Sequence, residues 1–405
     1  MRSKSQPLEQ AQAALRRFWG HPGFRPGQRE VIEAVLAGRD VLAILPTGGG
    51  KSVCYQVPAL LRDGLTLVVS PLIALMQDQV AQLDARGVKA AFINSTLAAR
   101  EIEQRWTDAE FGRYRLLYVA PERLQSDIFL ARAERLNVTL LAVDEAHCIS
   151  EWGHHFRPSY LQIAQARVHL GDPPTIAVTA TATPEVRRDI VEHLALRDPE
   201  VIVKGFDRPN LVWSIFRAEN KREKVLDVLR GVPGSGLLYA ATRRAVEDWA
   251  GWLAQQGETV MAYHGGLAHE VREKAQHAWI ESRVRLVVAT NAFGMGIDKP
   301  DVRSVIHLDV PASLEAYYQE AGRAGRDGHP ADCILLWQKR DAGLLAHFVE
   351  QITDPAEKER AWQRYHQIRS FAESKSCRHR QICTHFGETP KWRSCGACDV
   401  CGCEL

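Results

Sequence analysis

No stretch of this 405-residue sequence approaches the roughly 18 consecutive apolar residues that a bilayer-crossing helix needs. The opening residues, MRSKSQPLEQ, lack the apolar segment of a secretory signal, so the cytoplasm is the expected compartment. Neither sign of charge dominates. Lys plus Arg number 51 against 49 Asp plus Glu, a formal net charge of +2, so any polyanion must be held by local basic surface. Internal repeats and low-complexity linkers are missing too, which excludes solenoid and fibrous architectures. Cysteine is sparse over most of the chain: three of nine are scattered singly, whereas Cys377, Cys383, Cys395, Cys398, Cys401 and Cys403 crowd into the last 29 residues. Where thiols stay reduced, two-residue gaps suit a metal site better than a disulfide framework.

What is present is an alternation. The apolar, β-branched runs DVLAIL, LTLVVS, LLYVA, LLAVDEA and TIAVTATAT, then GLLYAAT, TVMAYH, RLVVAT and SVIHLDV, are separated by helical stretches. Such an order argues a parallel sheet covered by helices. The alternation pauses at GFDRPNLVWSIFRAENKRE, so two α/β domains are expected, residues 1–205 and 206–340. They are alike in kind rather than in sequence. Beyond residue 340 the segment AGLLAHFVEQITDPAEKERAWQRYHQIRSFAES reads as helices broken at Asp354-Pro355, giving a small helical third domain over 341–405.

Several places carry chemistry. The run DVLAIL leads into Thr47-Gly48-Gly49-Gly50-Lys51-Ser52 and on into a helix, VCYQVPALL. Consecutive glycines let backbone N–H groups turn around phosphate oxygens, and a helix N-terminus adds the positive end of its dipole. Lys51 is placed to reach β- and γ-phosphates and Ser52 to ligate Mg2+, although Leu45 stands where the full pattern has its first glycine. The acidic half of such a site belongs at a strand end, and LLAVDEAH delivers Asp144 for the metal and Glu145 to activate water. In QEAGRAGR the three-residue spacing sets Arg323 and Arg326 on one face of a helix or helical turn, where two guanidinium groups can converge on one anion. The stretch CISEWGHHFRPSY gathers Trp152, His154, His155, Phe156 and Arg157, either an exposed set that stacks on bases of any identity or aromatics of the core. Cys377 with Cys395, Cys398 and Cys401 offers four thiolates for a closed, structural Zn2+ site, with Cys383 and Cys403 as ordinary thiols or, alternatively, substitute ligands.

Asp-Glu-Ala-His at 144–147 adds a resemblance. With FRPGQREVI, LPTGGGKSVCYQ, VVSPLIALMQDQV, YVAPERL, VDEAHCISEWGHHFRPSY, AVTATAT, VVATNAFGMGIDKPDVRSVIHLDVP, YYQEAGRAGRDG and the cysteine cluster in order, nearly the whole chain resembles the RecQ family of superfamily 2 DNA helicases. The resemblance implies an α/β fold of two tandem RecA-like domains plus a small helical zinc-binding domain, and phosphate loops of that superfamily often omit the first glycine. It implies a catalytic set of Lys51, Asp144, Glu145, His147, Gln319, Arg323 and Arg326, with Arg326 as arginine finger toward the γ-phosphate held by the other domain. Arg25 and Gln28 match the adenine-recognition segment, His21 stands where the family commonly stacks a tyrosine, and Thr47, Gly48, Gly49, Gly50, Lys51, Ser52 and Asp298 complete the cofactor set.

Trp152, His154, Phe156 and Arg157 match the aromatic-rich loop that senses single-stranded DNA, with His155 where the family usually has aspartate. Sequence-independent DNA contacts are expected from Ser70, Gln77, Glu122, Arg123, Thr242, Arg243, Thr290 and Asn291. ATP, Mg2+ and Zn2+ are the implied cofactors. The implied partners are single-stranded and tailed duplex DNA, with single-strand-binding protein and other repair factors as candidates, for a monomer associated with the nucleoid if bacterial. The activity implied is ATP-driven 3′-to-5′ unwinding in recombination and repair. Many members continue into a winged-helix domain, whereas this sequence ends at Leu405. The alternative is a DNA-stimulated translocase that needs a partner or that domain to separate strands.

Overall fold

In the computed structural model, which describes residues 5–153, 155–293 and 299–402, the apolar runs of the first half become strands of one sheet. They are β1 (Val41–Ile44), β2 (Leu65–Val69), β3 (Ala90–Ile93), β4 (Leu116–Val119), β5 (Val138–Val143), β6 (Thr175–Thr179) and β7 (Glu200–Val203). Their order across the sheet is β3-β4-β2-β5-β6-β1-β7, and every pairing is parallel. Helices cover a parallel sheet on both faces, so its inner strands read as continuous apolar runs, and β1, β2, β4 and β6 are buried at every position.

A second sheet holds β8 (Leu211–Arg217), β9 (Ser235–Tyr239), β10 (Val260–Tyr263), β11 (Leu286–Ala289), β12 (Val302–His307) and β13 (Ala331–Trp337). Its order is β10-β11-β9-β12-β13-β8, again parallel throughout. The chain divides into two compact units, Met1–Gly205 and Phe206–Leu405. Four strands lie outside the runs named above: β3, β7 and β8 at sheet edges, and the buried β13. Strand β8 falls inside the segment where the alternation pauses. Helices Lys339–Glu350, Pro355–Glu373 and Arg378–His385 follow in the second unit, and the break between the first two is a cap: the Asp354 carboxylate accepts the Glu357 N–H at 2.8 Å and Pro355 takes the first turn. Among the described residues no helix is long and apolar enough to cross a membrane.

Leu45, the residue in place of the missing glycine, continues β1 by donating its N–H to the Thr179 carbonyl at 3.1 Å and buries its side chain in the core. There is no room for a side chain opposite: a Cβ on Gly27 would stand 2.7 Å from Leu45 Cδ2.

The start of β1 is tied down by charge. Asp40 is buried and accepts two bonds from the Arg167 guanidinium at 3.0 and 2.8 Å, one from the Thr175 N–H at 2.8 Å and one from the Arg197 N–H at 2.7 Å. Burial by itself would raise the carboxyl, but the Arg197 and Thr175 amides and the Arg167 charge outweigh it and hold Asp40 below its ordinary value. A carboxylate whose folded pKa is depressed stabilises the fold above its unfolded pKa and loses that contribution as pH falls through the folded value. Asp40→Ala leaves the buried Arg167 with the exposed Asp172 carboxylate as its counter-ion at 2.8 Å and takes the acceptor from the Thr175 and Arg197 amides, so we expect a loss of about 3–5 kcal/mol in urea unfolding at pH 7. The gap between wild type and variant narrows below about pH 4; an unchanged unfolding midpoint at pH 7 would rule out this role.

Candidate nucleotide and nucleic-acid site

The loop after β1 is shaped by backbone that side chains resist. Gly48 and Gly50 take positive φ values of 76° and 71°, and a Cβ on Gly49 would sit 2.9 Å from the Pro46 carbonyl. Gln28 lies beneath it, buried, its Nε2 donating to the Gly49 and Gly50 carbonyls at 3.0 Å each while its Oε1 accepts the Arg25 N–H at 2.9 Å. Arg25 Nη1 donates to the Gly48 carbonyl. The amide expected to read a base edge is thus turned to the chain, bracing the phosphate loop. His21 is exposed at the preceding turn, and Lys51 and Ser52 are half-buried just ahead of helix Val53–Leu61.

Strand β5 ends beside it in the sheet, one strand beyond β6. The Asp144 N–H donates to the Val69 carbonyl at 2.9 Å and its carboxyl is buried. Burial and the neighbouring Glu145 charge push Asp144 up to about 7 against the pull of Lys51. A bound divalent cation acts in the opposite direction. Glu145 has φ 48°, a left-handed backbone unusual for a residue with a side chain, and its N–H donates to Asp144 Oδ1 at 2.9 Å. His147 Nδ1 lies 3.3 Å from Glu145 Oε2 and 2.9 Å from Thr179 Oγ1 at the end of β6. Burial opposes a charge on His147, but the adjoining Cys148 and Glu145 overcome it and raise the imidazole to about 10.

The next segment folds back on this acid-histidine run. The Gly153 N–H donates to the Ser150 carbonyl at 3.0 Å, and a Cβ on Gly153 would meet the His147 carbonyl at 2.5 Å. Arg157 is bonded at both ends: its N–H donates to the Cys148 carbonyl at 2.8 Å and its Nη1 to the Pro71 carbonyl at 3.0 Å. Of the two readings for the aromatics, Trp152 takes the surface, 45% exposed, and Phe156 is half-buried. The His155 ring stands 6.1 Å from that of His147, and burial together with the His147 charge lowers it to about 4. His154 lies outside the described residues, as do Asp298 and Cys403.

Most of the expected backbone-contact residues stand at strand ends or the turns after them, with Gln77 and Arg243 on the helices that follow. Ser70 is buried after β2, Gln77 is exposed on helix Ile73–Ala85, and Glu122 and Arg123 follow β4. Arg123 Nη2 donates to the carbonyl of Asn94, a buried residue after β3 that sequence reasoning passed over. Its signal was the Asn-x-Thr turn of INST: Asn94 Oδ1 accepts from the Thr96 N–H at 2.9 Å and hydroxyl at 2.7 Å. Thr179, in the quoted AVTATAT, was likewise not singled out.

In the second unit, Thr242 caps helix Arg243–Gln255 by accepting the Ala245 N–H at 3.1 Å, leaving Arg243 exposed, and Thr290 and exposed Asn291 follow β11. Helix Leu314–Ala321 carries Gln319 and stops before the arginines, which lie in the turn beyond it. Arg323 is buried and engages the Tyr239 hydroxyl, whereas Arg326 is only half-buried, so the two differ in exposure. Arg208 grips the turn through the carbonyls of Gly322, Ala324 and Gly325, and Asn210 Nδ2 donates to Gly325 and His329 carbonyls at 2.8 and 3.0 Å. A Cβ on Gly325 would lie 2.5 Å from that amide. FDRPN held both residues, with no pattern in the sequence to link them to a turn more than a hundred residues away.

The sulfurs of Cys377, Cys395, Cys398 and Cys401 lie within 4.8 Å of one another, a donor set that fits a tetrahedral zinc with no open position. Cys383 is buried apart from it. The cluster is docked on β8: the Trp213 N–H donates to the Ala397 carbonyl at 3.3 Å, and the Asp399 N–H to the Trp213 carbonyl at 3.0 Å. Arg378 clamps the Asp399 carboxylate with two bonds at 2.9 and 3.0 Å.

Residues 25–190 match the DEAD/DEAH box helicase family, 220–328 the helicase conserved C-terminal domain and 339–402 the RecQ zinc-binding domain. The chain is 42% identical over 398 residues to the ATP-dependent DNA helicase RecQ of Bacillus subtilis (strain 168), across 97% of this chain and 67% of the relative. Against the protein of that name from Pasteurella multocida (strain Pm70) the identity is 42% over 397 residues, across 98% and 63%. The chain spans about two thirds of the length of these bacterial relatives. Against the ATP-dependent helicase wrn-1 of Caenorhabditis elegans it is 38% over 414 residues, across 98% and 39%. Among solved structures, the Mycobacterium smegmatis helicase Lhr bound to ssDNA and AMP-PNP is similar in fold, with a TM-score of 0.63 and 22% identity over 85% of this chain and 50% of that one. The architecture is therefore two RecA-like parallel-sheet domains with a zinc-binding module.

Metal analysis of reduced protein should find about one zinc per chain. Cys398→Ser should release it and lower the protease resistance of the tail, because the ligand lies within the stretch bonded to Trp213. Metal-free wild type with an intact tail would refute the assignment.

Proposed function

We propose, from the premise that the chain belongs to the RecQ family of ATP-dependent DNA helicases, that it hydrolyses ATP on single-stranded DNA, moves 3′ to 5′ and unwinds tailed duplexes during recombination and repair. The observation that carries the coupling is continuity: Asp144, Glu145 and His147 and the loop ending at Arg157 form one bonded segment, anchored at Cys148 and at Pro71 beside Ser70.

Lys51, Ser52 and Asp144 are the residues that would hold Mg2+-ATP, whose phosphoanhydride bond supplies the energy of the cycle. Glu145 serves as the base, oriented by its left-handed backbone and by His147. The charged imidazole bridges Glu145 to Thr179, so a shift in the Ser150–Arg157 segment is felt by the base through His147 and Cys148. A nucleobase stacked on Trp152 acts on that segment directly. Arg326 as arginine finger, with Gln319 and Arg323 in support, belongs to this reading. So do adenine recognition by His21, Arg25 and Gln28, the last by turning its amide from the Gly49 and Gly50 carbonyls to the base, and DNA-backbone contacts from Ser70, Gln77, Arg123, Thr242, Thr290 and Asn291.

Phosphate release with and without single-stranded DNA, followed by unwinding of 3′- and 5′-tailed duplexes, tests the proposal. Turnover should rise with DNA, and only the 3′ tail should support unwinding. Lys51→Ala should lower kcat by on the order of 100- to 1000-fold with DNA binding retained, and Glu145→Gln should bind ATP but hydrolyse it at least about 100-fold more slowly. Wild-type turnover in either variant would remove its residue from the site. Trp152→Ala should raise the DNA concentration for half-maximal stimulation roughly 5- to 150-fold, the worth of one base stack; an unchanged value would make Trp152 a surface bystander.

A further inference from the structure

The strand run β12-β13-β8 of the second sheet repeats the run β5-β6-β1 of the first. Strand β8 therefore stands where β1 does, and β12 where β5 does. In the first unit these two strands lead to Lys51 and Asp144. Their counterparts in the second unit lead to Lys221, at the start of helix Lys221–Gly231, and to Asp309, two residues past β12. The loops differ in kind. Residues 45–52, with three consecutive glycines, separate β1 from its helix, whereas Ala218, Glu219 and Asn220 alone separate β8 from its own. A loop of three residues without glycine cannot wrap its N–H groups around a phosphate. A cavity of about 560 Å3 does open here, but its lining carries Glu219, Asp248, Asp309 and Asp341 against Lys221 and Arg222, an excess of acid that repels a triphosphate.

Lys221 instead turns inward. Its side chain is 7% exposed, and Nζ donates to Asp341 Oδ2 at 2.7 Å and to the Leu308 carbonyl, with Asp309 Oδ1 at 3.7 Å. Both acids reach further. Asp309 Oδ2 accepts the Ala241 N–H at 2.9 Å, in the turn that leads to Thr242. Asp341 Oδ2 accepts the Gln338 N–H at 2.8 Å, and Gln338 Nε2 donates to the carbonyls of Ala218 and Glu219. One buried ammonium thus joins the β8 loop, the Thr242 turn and the start of helix Lys339–Glu350, which opens the helical module. Strand β13 ends at Trp337, directly before Gln338 and helix Lys339–Glu350, so the junction sits where the module leaves the sheet.

We propose that Lys221 is a positioning residue: the second unit's counterpart of the phosphate lysine, converted into a strut that fixes the Thr242 turn against the helical module and so sets the affinity for single-stranded DNA. The inference rests on the reading above that the Thr242 turn faces DNA.

Lys221→Met in the full chain removes the charge and keeps the length. The expected result is a roughly 5- to 50-fold higher oligo-dT concentration for half-maximal ATPase stimulation, with kcat at saturating oligo-dT, DNA-independent turnover and zinc content unchanged. Stability should also fall, since two carboxylates lose their shared cation. The double variant Lys221→Met plus Asp341→Asn separates the two effects, because an asparagine oxygen can still accept the Gln338 N–H while the uncompensated buried charge is removed, which restores stability while Asp309 still lacks its ammonium. A half-saturation point that stays raised after the thermal midpoint recovers supports the strut. A half-saturation point that recovers together with the midpoint overturns it, as does a loss of kcat at saturating DNA. Wild-type ATPase that oligo-dT fails to stimulate at all would instead defeat the proposed function, a result independent of any Lys221 variant.

Discussion

Parallel pairing is the constraint that the rest of the molecule obeys. When every strand runs the same way, all C-terminal ends arrive at one rim of the sheet and the helices carry the chain back. Side chains from distant parts of the sequence are then spaced along that rim in steps of about 4.8 Å. Lys51 follows β1 and Asp144 follows β5, two steps apart with β6 between, which leaves a gap suited to phosphate and metal. Thr179 comes from the strand in the middle and takes hold of His147. Each is a local consequence of one global polarity.

Much of this was legible in the chain itself. Inner strands such as β2 and β4 are buried on both faces, so their sequences are unbroken apolar runs, and the glycine-lysine-serine loop and the acidic strand end each follow one of them. Edge strands were harder. Strand β8 has a single strand neighbour and a mixed sequence, LVWSIFR, set in a segment rich in charge and turn residues, and β3 is half alanine. The braces were not legible at all. Gln28 under the phosphate loop, and Arg208 and Asn210 around the arginine turn, act on backbone carbonyls, and carbonyl positions leave no trace in residue types. The spacing of Arg323 and Arg326 suggested a shared face, but the helix ends at Ala321 and the turn after it sends Arg323 inward.

Burial and neighbouring charges together sort the protons of the segment that follows β5. Within Asp144 to His155, one carboxyl is raised to about 7, one imidazole to about 10 and another lowered to about 4. Two histidines 6.1 Å apart are thereby kept in opposite charge states, His147 holding its proton for Glu145 and His155 giving its own up. Where RecQ helicases usually carry an aspartate, this chain has a neutral ring, so the loop meets its surroundings without that negative charge.

The contact between the cysteine cluster and Trp213 reaches beyond the tail. Strand β8 is the last of its sheet, and an uncovered terminal strand offers free N–H and C=O groups to any other chain that comes near. Ala397 and Asp399 occupy those groups at Trp213. The cysteine cluster thus covers part of an otherwise open margin. Release of a metal from it would loosen that cover and leave the Trp213 N–H and carbonyl open to pairing with another strand.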